Sequence, residues 1–462
     1  MKKIWIHISI ALICTVIGTC IYLYQANILF PVKPIHFEPE PQTLKSIDML
    51  EPEEMLEDFA YLVEVIESVH PDPYHRIGKE EWIREKNALL ERFKQPMRAA
   101  DYYFALNELV VAVGDAHTVL WFDETDKGLP LCFDWVKEGL VIAEDHGLFK
   151  RGDLVLKIGN KQPDELLHDL SLMVAAENIY WVKNEAKTML KKRSVLEQLG
   201  LLQNEQDETV LFSVERDGEV LELTSYFKEE RTREDDENEI LEDRHGWYID
   251  KENDLALFYL KVCIDDEKFR EDVEEFFHAV KDNHIQKVVI DVRENIGGNS
   301  GVIDAFLRQL PVDSYTAYGA TIKYSKLAAE RAGMRKTKGT STHSPSTRRV
   351  KKVENPFKGD VFILTGNQTF SSGNWIAVIF YDNKLGTIVG EPTGNAPSSY
   401  GDVLRFQLPN TGFLLRVSYK YFTRPDPSND PADALYPHIT INKTRGDLIN
   451  GTDPILDYFD SH

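Results

Sequence analysis

Apolar residues recur at helical spacing through the early part of the chain. Leu56, Phe59, Leu62, Val63 and Ile66 mark one face of a helix. The segment His70-Pro71-Asp72-Pro73-Tyr74 must interrupt it, because proline lacks the amide a helix needs. The spacing predicts a second helix over about 79–93 and a third over about 100–113, followed by Gly114-Asp115-Ala116-His117-Thr118. Beyond residue 119 the period shortens. A turn at 149–153 leads into an alternating strand ending near Asn160. Residues 210–214 and 220–223 flank Asp217-Gly218, a hairpin signal, and 163–204, between the first strand and this hairpin, reads as helical. From 246 to 446, strands at 255–262, 287–292, 361–364 and 387–389 alternate with helices at 267–282, 300–310 and 372–382. That alternation predicts a largely parallel α/β sheet. Residues 406–408 and 413–417 then flank Pro409-Asn410-Thr411-Gly412 as a hairpin. The Lys/Arg- and Ser/Thr-rich span 313–355 breaks the alternation and is expected to be a long mobile loop or flap.

The N-terminus adds a different signal. Lys2 and Lys3 precede an apolar run from Ile4 to about Tyr24, long enough to cross a bilayer as a helix. No small-residue cleavage site precedes Gln25, and flanking positive charge keeps that end inside. The expectation is a signal anchor with the bulk of the chain outside the cytoplasm. Secretion after signal cleavage, or lipid modification at Cys20, is the alternative. The chain divides into an anchor (1–25), a Pro-rich spacer (26–50), a helical domain (51–118), a β-rich module with a helical insert (119–227), an acidic linker (228–245) and an α/β domain (246–462).

The 462 residues carry a net charge of −23, which argues against a nucleic-acid partner. Of four cysteines, Cys14 and Cys20 lie in the anchor; Cys132 and Cys263 are read as buried thiols rather than a disulfide framework. His70, Asp72 and His75 do not share a helical face, and no HExxH, EF-hand, Walker or GxGxxG pattern occurs. Neither metal nor cofactor is expected.

Three segments carry candidate chemistry. In Thr369-Phe370-Ser371-Ser372-Gly373-Asn374 a strand feeds a helix through a short loop. A serine there meets unpaired amides and a helix dipole that favour developing negative charge. Taken alone it is an ordinary N-cap. In Asp291-Val292-Arg293-Glu294-Asn295-Ile296-Gly297-Gly298, paired glycines let a backbone approach closely and offer its amides, though a plain strand–helix turn reads the same way. His117 supplies the imidazole that a serine nucleophile needs near neutral pH.

Together and in order, these segments resemble the S41 peptidases, and among them the tricorn-core-like Ser/His branch. Residues 114–118 look like that branch's Gly-Asp-Gly/Ala-His-Thr motif, 291–298 like its Asp-x-Arg-x-Asn-x-Gly-Gly motif, and 369–372 like its nucleophile segment. Residues 390–394, 408–410 and 451–456 fit the downstream pattern. The resemblance implies an α/β (α+β multidomain) protein with a crotonase/ClpP-like catalytic core, a PDZ-like module and an N-terminal helical domain. It implies Ser371 as nucleophile, His117 as base and an oxyanion hole from the amides of Gly297 or Gly298 and of Ser372. Asp430 and Asp433 fall where the acid that orients the histidine is expected. The tail-specific branch has a lysine just after its Gly-Glu-x-Thr segment; here Gly394-Asn395-Ala396-Pro397 has none. Asn374 stands where glutamate is common, and His438 where aspartate is. The implied function is hydrolysis of peptide bonds in proteins or peptides through an acyl-enzyme. The alternatives are a catalytically silent peptide- or ligand-binding protein of the same fold and an esterase-like hydrolase. The implied partners are peptide substrates and the membrane; oligomeric state is left open.

Overall fold

The computed structural model describes residues 34, 37–40, 43–122, 127–202, 208–229 and 241–460. The expected anchor and most of the spacer and acidic linker lie outside the described residues. Among the described residues no helix is long and apolar enough to cross a membrane.

Three N-terminal helices form at Pro52–Val69, Gly78–Arg92 and Ala99–Val113. The first starts on Pro52, whose missing amide costs nothing there, inside a capping box of Glu51 and Glu54. The third ends at Gly114 with φ of 75°, the left-handed conformation that reverses the chain. Met49–Leu50, placed in the spacer by sequence, pairs with Met97–Arg98 and belongs to this helical layer.

The central sheet has six strands in the order His245–Asp250, Leu255–Leu260, Lys287–Asp291, Asp360–Thr365, Thr387–Gly390, Ile439–Thr440. All neighbours are parallel except the first pair. Its inner strands are near-continuous apolar runs because both faces are covered. On one face Phe258, Phe269, Phe276, Phe306 and Phe380 interlock, drawn from strands and the helices between them. The helix Glu267–Asp282 follows its expected bounds, with Asp266 capping the Phe269 amide.

A second sheet runs Gly339–His343, Gly319–Tyr324, Leu414–Thr423, Ser399–Gln407. Val119–Trp121 adds to Leu414–Thr423 and so leaves the middle module to which the sequence assigned it. The expectation of a long mobile loop over 313–355 is overturned. That span holds the sheet strands Gly319–Tyr324 and Gly339–His343, the helix Lys326–Ala332, and a separate antiparallel pair, Ser314–Ala317 with Ser346–Arg349. Its polar composition reflects a solvent-facing ladder rather than missing structure.

The third sheet is an antiparallel meander from Phe133–Val136 to Glu219–Tyr226, with helices Pro163–Ser171, Ile179–Met189 and Arg193–Gln198 inserted before its last hairpin. Asp217 and Gly218 turn that hairpin with φ of 54° and 82°.

The helical layer is locked to the second sheet by one buried carboxylate. Asp58 accepts the amides of Asn410 and Thr411 at 2.8 and 2.9 Å and the Thr411 hydroxyl at 2.5 Å. Around it Met55, Phe59 and Leu62 pack with Phe406, Phe413 and Leu415. Asp58→Ala leaves buried amides without acceptors and is expected to cost about 2–4 kcal/mol, measured by urea unfolding, with Asp58→Asn losing less.

Candidate active site

The turn after the third helix is fixed by Asp115. One of its oxygens accepts the His117 amide at 2.9 Å and the other the Thr118 hydroxyl at 2.6 Å. Thr118 Oγ1 in turn accepts the Ser418 amide at 3.2 Å, where Val119–Trp121 joins the second sheet. The His117 ring lies on Phe370, centroids 4.5 Å apart. Its Nδ1 is 3.8 Å from Asp115 Oδ1, and its Nε2 faces Gly401.

The segment before Ser371 is pinned at each residue. Thr369 Oγ1 accepts the Gly366 amide at 2.9 Å and donates to the Val292 carbonyl at 2.8 Å. The Phe370 amide donates to the Asn295 carbonyl at 2.9 Å, and the Ser371 amide to Asn395 Oδ1 at 3.1 Å. Ser371 has φ of 51°, a strained value for a residue with a Cβ. The helix Ser371–Asp382 begins there.

The glycine pair stands against this serine. Asn295 is fully buried; its side chain donates to the Leu260 carbonyl at 2.8 Å and accepts the Gly297 amide at 2.8 Å. Gly297 and Gly298 have φ of 101° and 129°. A Cβ on Gly297 would sit 2.5 Å from Ser371 Cβ. The Ser372 hydroxyl donates to the Gly298 carbonyl at 2.7 Å, tying the two loops. The Gly297 amide is occupied by Asn295, whereas Gly298 and Ser372 line the cleft with amides that are not so engaged. Among the described residues neither has an acceptor. His117, Gly298, Ser371 and Ser372 line one cleft of about 300 Å³ with Trp375, Tyr400 and Asp402.

Asp430 and Asp433 are not brought to His117 by any contact. Asp430 accepts the Ser398 hydroxyl at 2.5 Å and lies 3.8 Å from Arg424; Asp433 accepts the Tyr436 hydroxyl at 3.1 Å. The carboxylates beside the imidazole belong to Asp115 and to Glu177, whose ligating atoms and those of His117 all lie within 4.8 Å of one another. Glu177 comes from the helical insert of the middle module and was not singled out from sequence. Nothing in its local pattern marks it. Asn374 donates to the Asn395 and Ala396 carbonyls at 2.9 and 3.2 Å, a bracing role that needs an amide rather than a carboxylate. His438 stacks on Tyr381 and accepts the Ile388 amide at 2.9 Å, away from the cleft.

Burial pushes the His117 imidazole down to about 4, against the upward pull of Asp115. Burial alone would raise Asp115, but its contacts with His70, 3.3 Å away, with His117 and with Thr118 hold it well below the usual carboxylate range. Burial and the Asp115 charge push Glu177 up to about 8. The two carboxylates therefore differ: Asp115 is held ionised, and Glu177, facing that charge, is pushed toward its protonated form.

Gly297→Ala places a methyl inside the contact distance of Ser371. It is expected to slow the reaction of Ser371 with a fluorophosphonate by about 10²-fold, as loss of near-attack geometry does. Rates of labelling for the two folded proteins check this.

Residues 257–441 match the family described as Peptidase family S41. Solved structures share the fold at low identity. Mature CPAF complexed with lactacystin is 13% identical, with a TM-score of 0.65, over 88% of this chain and 97% of that one. A mutant of CPAF is 12% identical, with a TM-score of 0.68, over 88% and 96%. No curated protein sequence matches the chain. The matched segment spans the central sheet from Leu257, the glycine pair and the helix that begins at Ser371, so that residues 257–441 form a Peptidase family S41 domain.

Proposed function

We propose that the protein is a serine peptidase in which Ser371 is the nucleophile and His117 the general base. The observation that carries this reading is the shared cleft. A serine with strained backbone and a histidine from a distant part of the chain line it together, beside the unoccupied amides of Gly298 and Ser372.

Ser371 Oγ attacks the scissile carbonyl carbon and passes its proton to His117. The developing oxyanion is held by the Gly298 and Ser372 amides. The imidazolium is favoured by the Asp115 carboxylate 3.8 Å from Nδ1 and returns its proton to the leaving amine. Water then repeats the sequence on the acyl-enzyme. Asp430 and Asp433 have no part in this scheme.

The middle module is PDZ-like in this reading. Among the described residues its meander has edges at Phe133–Val136 and Glu219–Tyr226, either of which offers backbone groups to a peptide as an added strand. Lys2, Lys3 and the apolar run that follows support an anchor with the peptidase outside the cytoplasm.

Fluorophosphonate labelling tests the reading. Ser371→Ala is expected to abolish labelling and peptide cleavage, and His117→Gln to slow both by about 10²–10⁴-fold. A folded wild-type chain that takes no label favours a silent binding protein and overturns the proposal. Cleavage of simple esters with no cleavage of unfolded protein points to an esterase. The acid limb of the rate carries a second expectation. His117 accepts a proton only when neutral, and burial lowers it to about 4 from the ordinary 6.5. Activity should therefore persist as pH falls through 6.5 and decline only toward 4, read from the pH profile of labelling.

A further inference from the structure

Among the described residues, Glu177 is the one carboxylate that touches both halves of the site. One oxygen accepts the Ala116 amide at 3.1 Å, in the turn that carries His117. The other accepts Asn395 Nδ2 at 3.2 Å, while Asn395 Oδ1 accepts the amide of Ser371 at 3.1 Å. A continuous path thus runs from the backbone of the base, through Glu177 and Asn395, to the backbone of the nucleophile. Asn395 is fully buried and is itself held from two sides: its carbonyl accepts the Thr393 hydroxyl at 3.0 Å and the Asn374 side chain at 2.9 Å. Next along the chain, Asn178 donates to the carbonyls of Thr393 and Asp433 at 3.2 and 2.7 Å, and its Oδ1 caps the helix Ile179–Met189 at the Trp181 amide. Trp181 stacks on Phe370, centroids 4.2 Å apart, opposite the residue against which His117 also rests. The insert of the middle module therefore reaches the site by three adjoining residues, of which Glu177 and Asn178 make the polar contacts.

We infer that Glu177 is a positioning residue of the Ser371–His117 site, its carboxylate setting the distance between the turn of the base and the loop of the nucleophile. This inference rests on the proposed function and deepens it. Ser371 keeps a strained backbone only while its surroundings hold it, and its amide is held by the side chain that Glu177 orients. No atom of Glu177 needs to touch substrate. A glutamine at 177 keeps the shape but offers one carbonyl to two donors, so either Ala116 or Asn395 loses its acceptor.

The charged and titratable groups around Glu177 are few. Asp115 and His117 face it from the turn, and His75, Arg76, Asp433, Tyr400, Tyr421 and Tyr436 line the open cleft on its outer side. Arg76 donates to the Ala176 carbonyl at 3.4 Å, one residue before Glu177. Loss of the Glu177 proton above about pH 8 adds a negative charge near the imidazole and favours its protonated form. The rate should then step upward through that pH in the wild type.

The test uses the full chain, a fluorophosphonate probe and three proteins: wild type, Glu177→Gln and Glu177→Ala. The expected result for Glu177→Gln is a maximal labelling rate at least 10-fold lower, little change in the probe concentration for half-maximal rate, an unchanged melting temperature and no step near pH 8. Glu177→Ala should be slower still. If Glu177→Gln labels within twofold of wild type with the same pH profile, the inference fails while the serine-peptidase reading stands. If wild type itself takes no label, both fail together. Should Glu177→Ala not fold, Glu177→Gln alone decides.

Discussion

Three residues of backbone pairing hold the site together. Val119–Trp121 lies along Leu414–Thr423, and the Thr118 hydroxyl before it accepts the Ser418 amide while donating to Asp115. Without that short strand the turn bearing His117 would hang from the end of a helix. With it, the turn is clamped to the same sheet whose other strand, Ser399–Gln407, contributes Tyr400, Gly401 and Asp402 to the cleft. A helix end is a soft place to mount an imidazole. The wall of a sheet is a stiff one, because each ladder bond constrains the next.

Ser371 is mounted by a different device. Two buried asparagines hold backbone rather than substrate: Asn295 takes the Gly297 amide, and Asn395 takes the Ser371 amide. A carboxamide is suited to this because it accepts and donates at once without introducing charge into a buried place. Asn295 occupies the Gly297 amide, and Gly297, lacking a Cβ, makes room for Ser371; Gly298 lines the cleft beside it.

Electrostatically the site sets a neutral imidazole close to two unlike carboxylates. Asp115 is kept ionised by the hydroxyl, amide and imidazole groups around it, whereas Glu177 faces that negative charge and is driven toward its protonated form. Removing charge from one of two close carboxylates is the cheaper solution, and the half-buried Glu177 rather than the fully buried, hydrogen-bonded Asp115 gives it up.

The sequence by itself determined the elements whose cause is local. Continuous apolar runs named the parallel strands, 3.6-residue spacing named the helices, and Asp217-Gly218 named a hairpin turn, since each follows from the dihedral and burial preferences of neighbouring residues. It also marked Ser371, His117 and the glycine pair, because close backbone approach demands glycine and the chemistry demands those side chains. Tertiary structure alone decided what meets what. The polar span 313–355 is ordered because another strand accepts its ladder, a fact written in Leu414–Thr423 and not in the span itself. Glu177, on an insert with no local mark, lies beside His117, while Asp430 and Asp433 are engaged by Ser398 and Tyr436. A carboxylate's role depends on which donors and charges surround it, and those come from segments that only folding brings near.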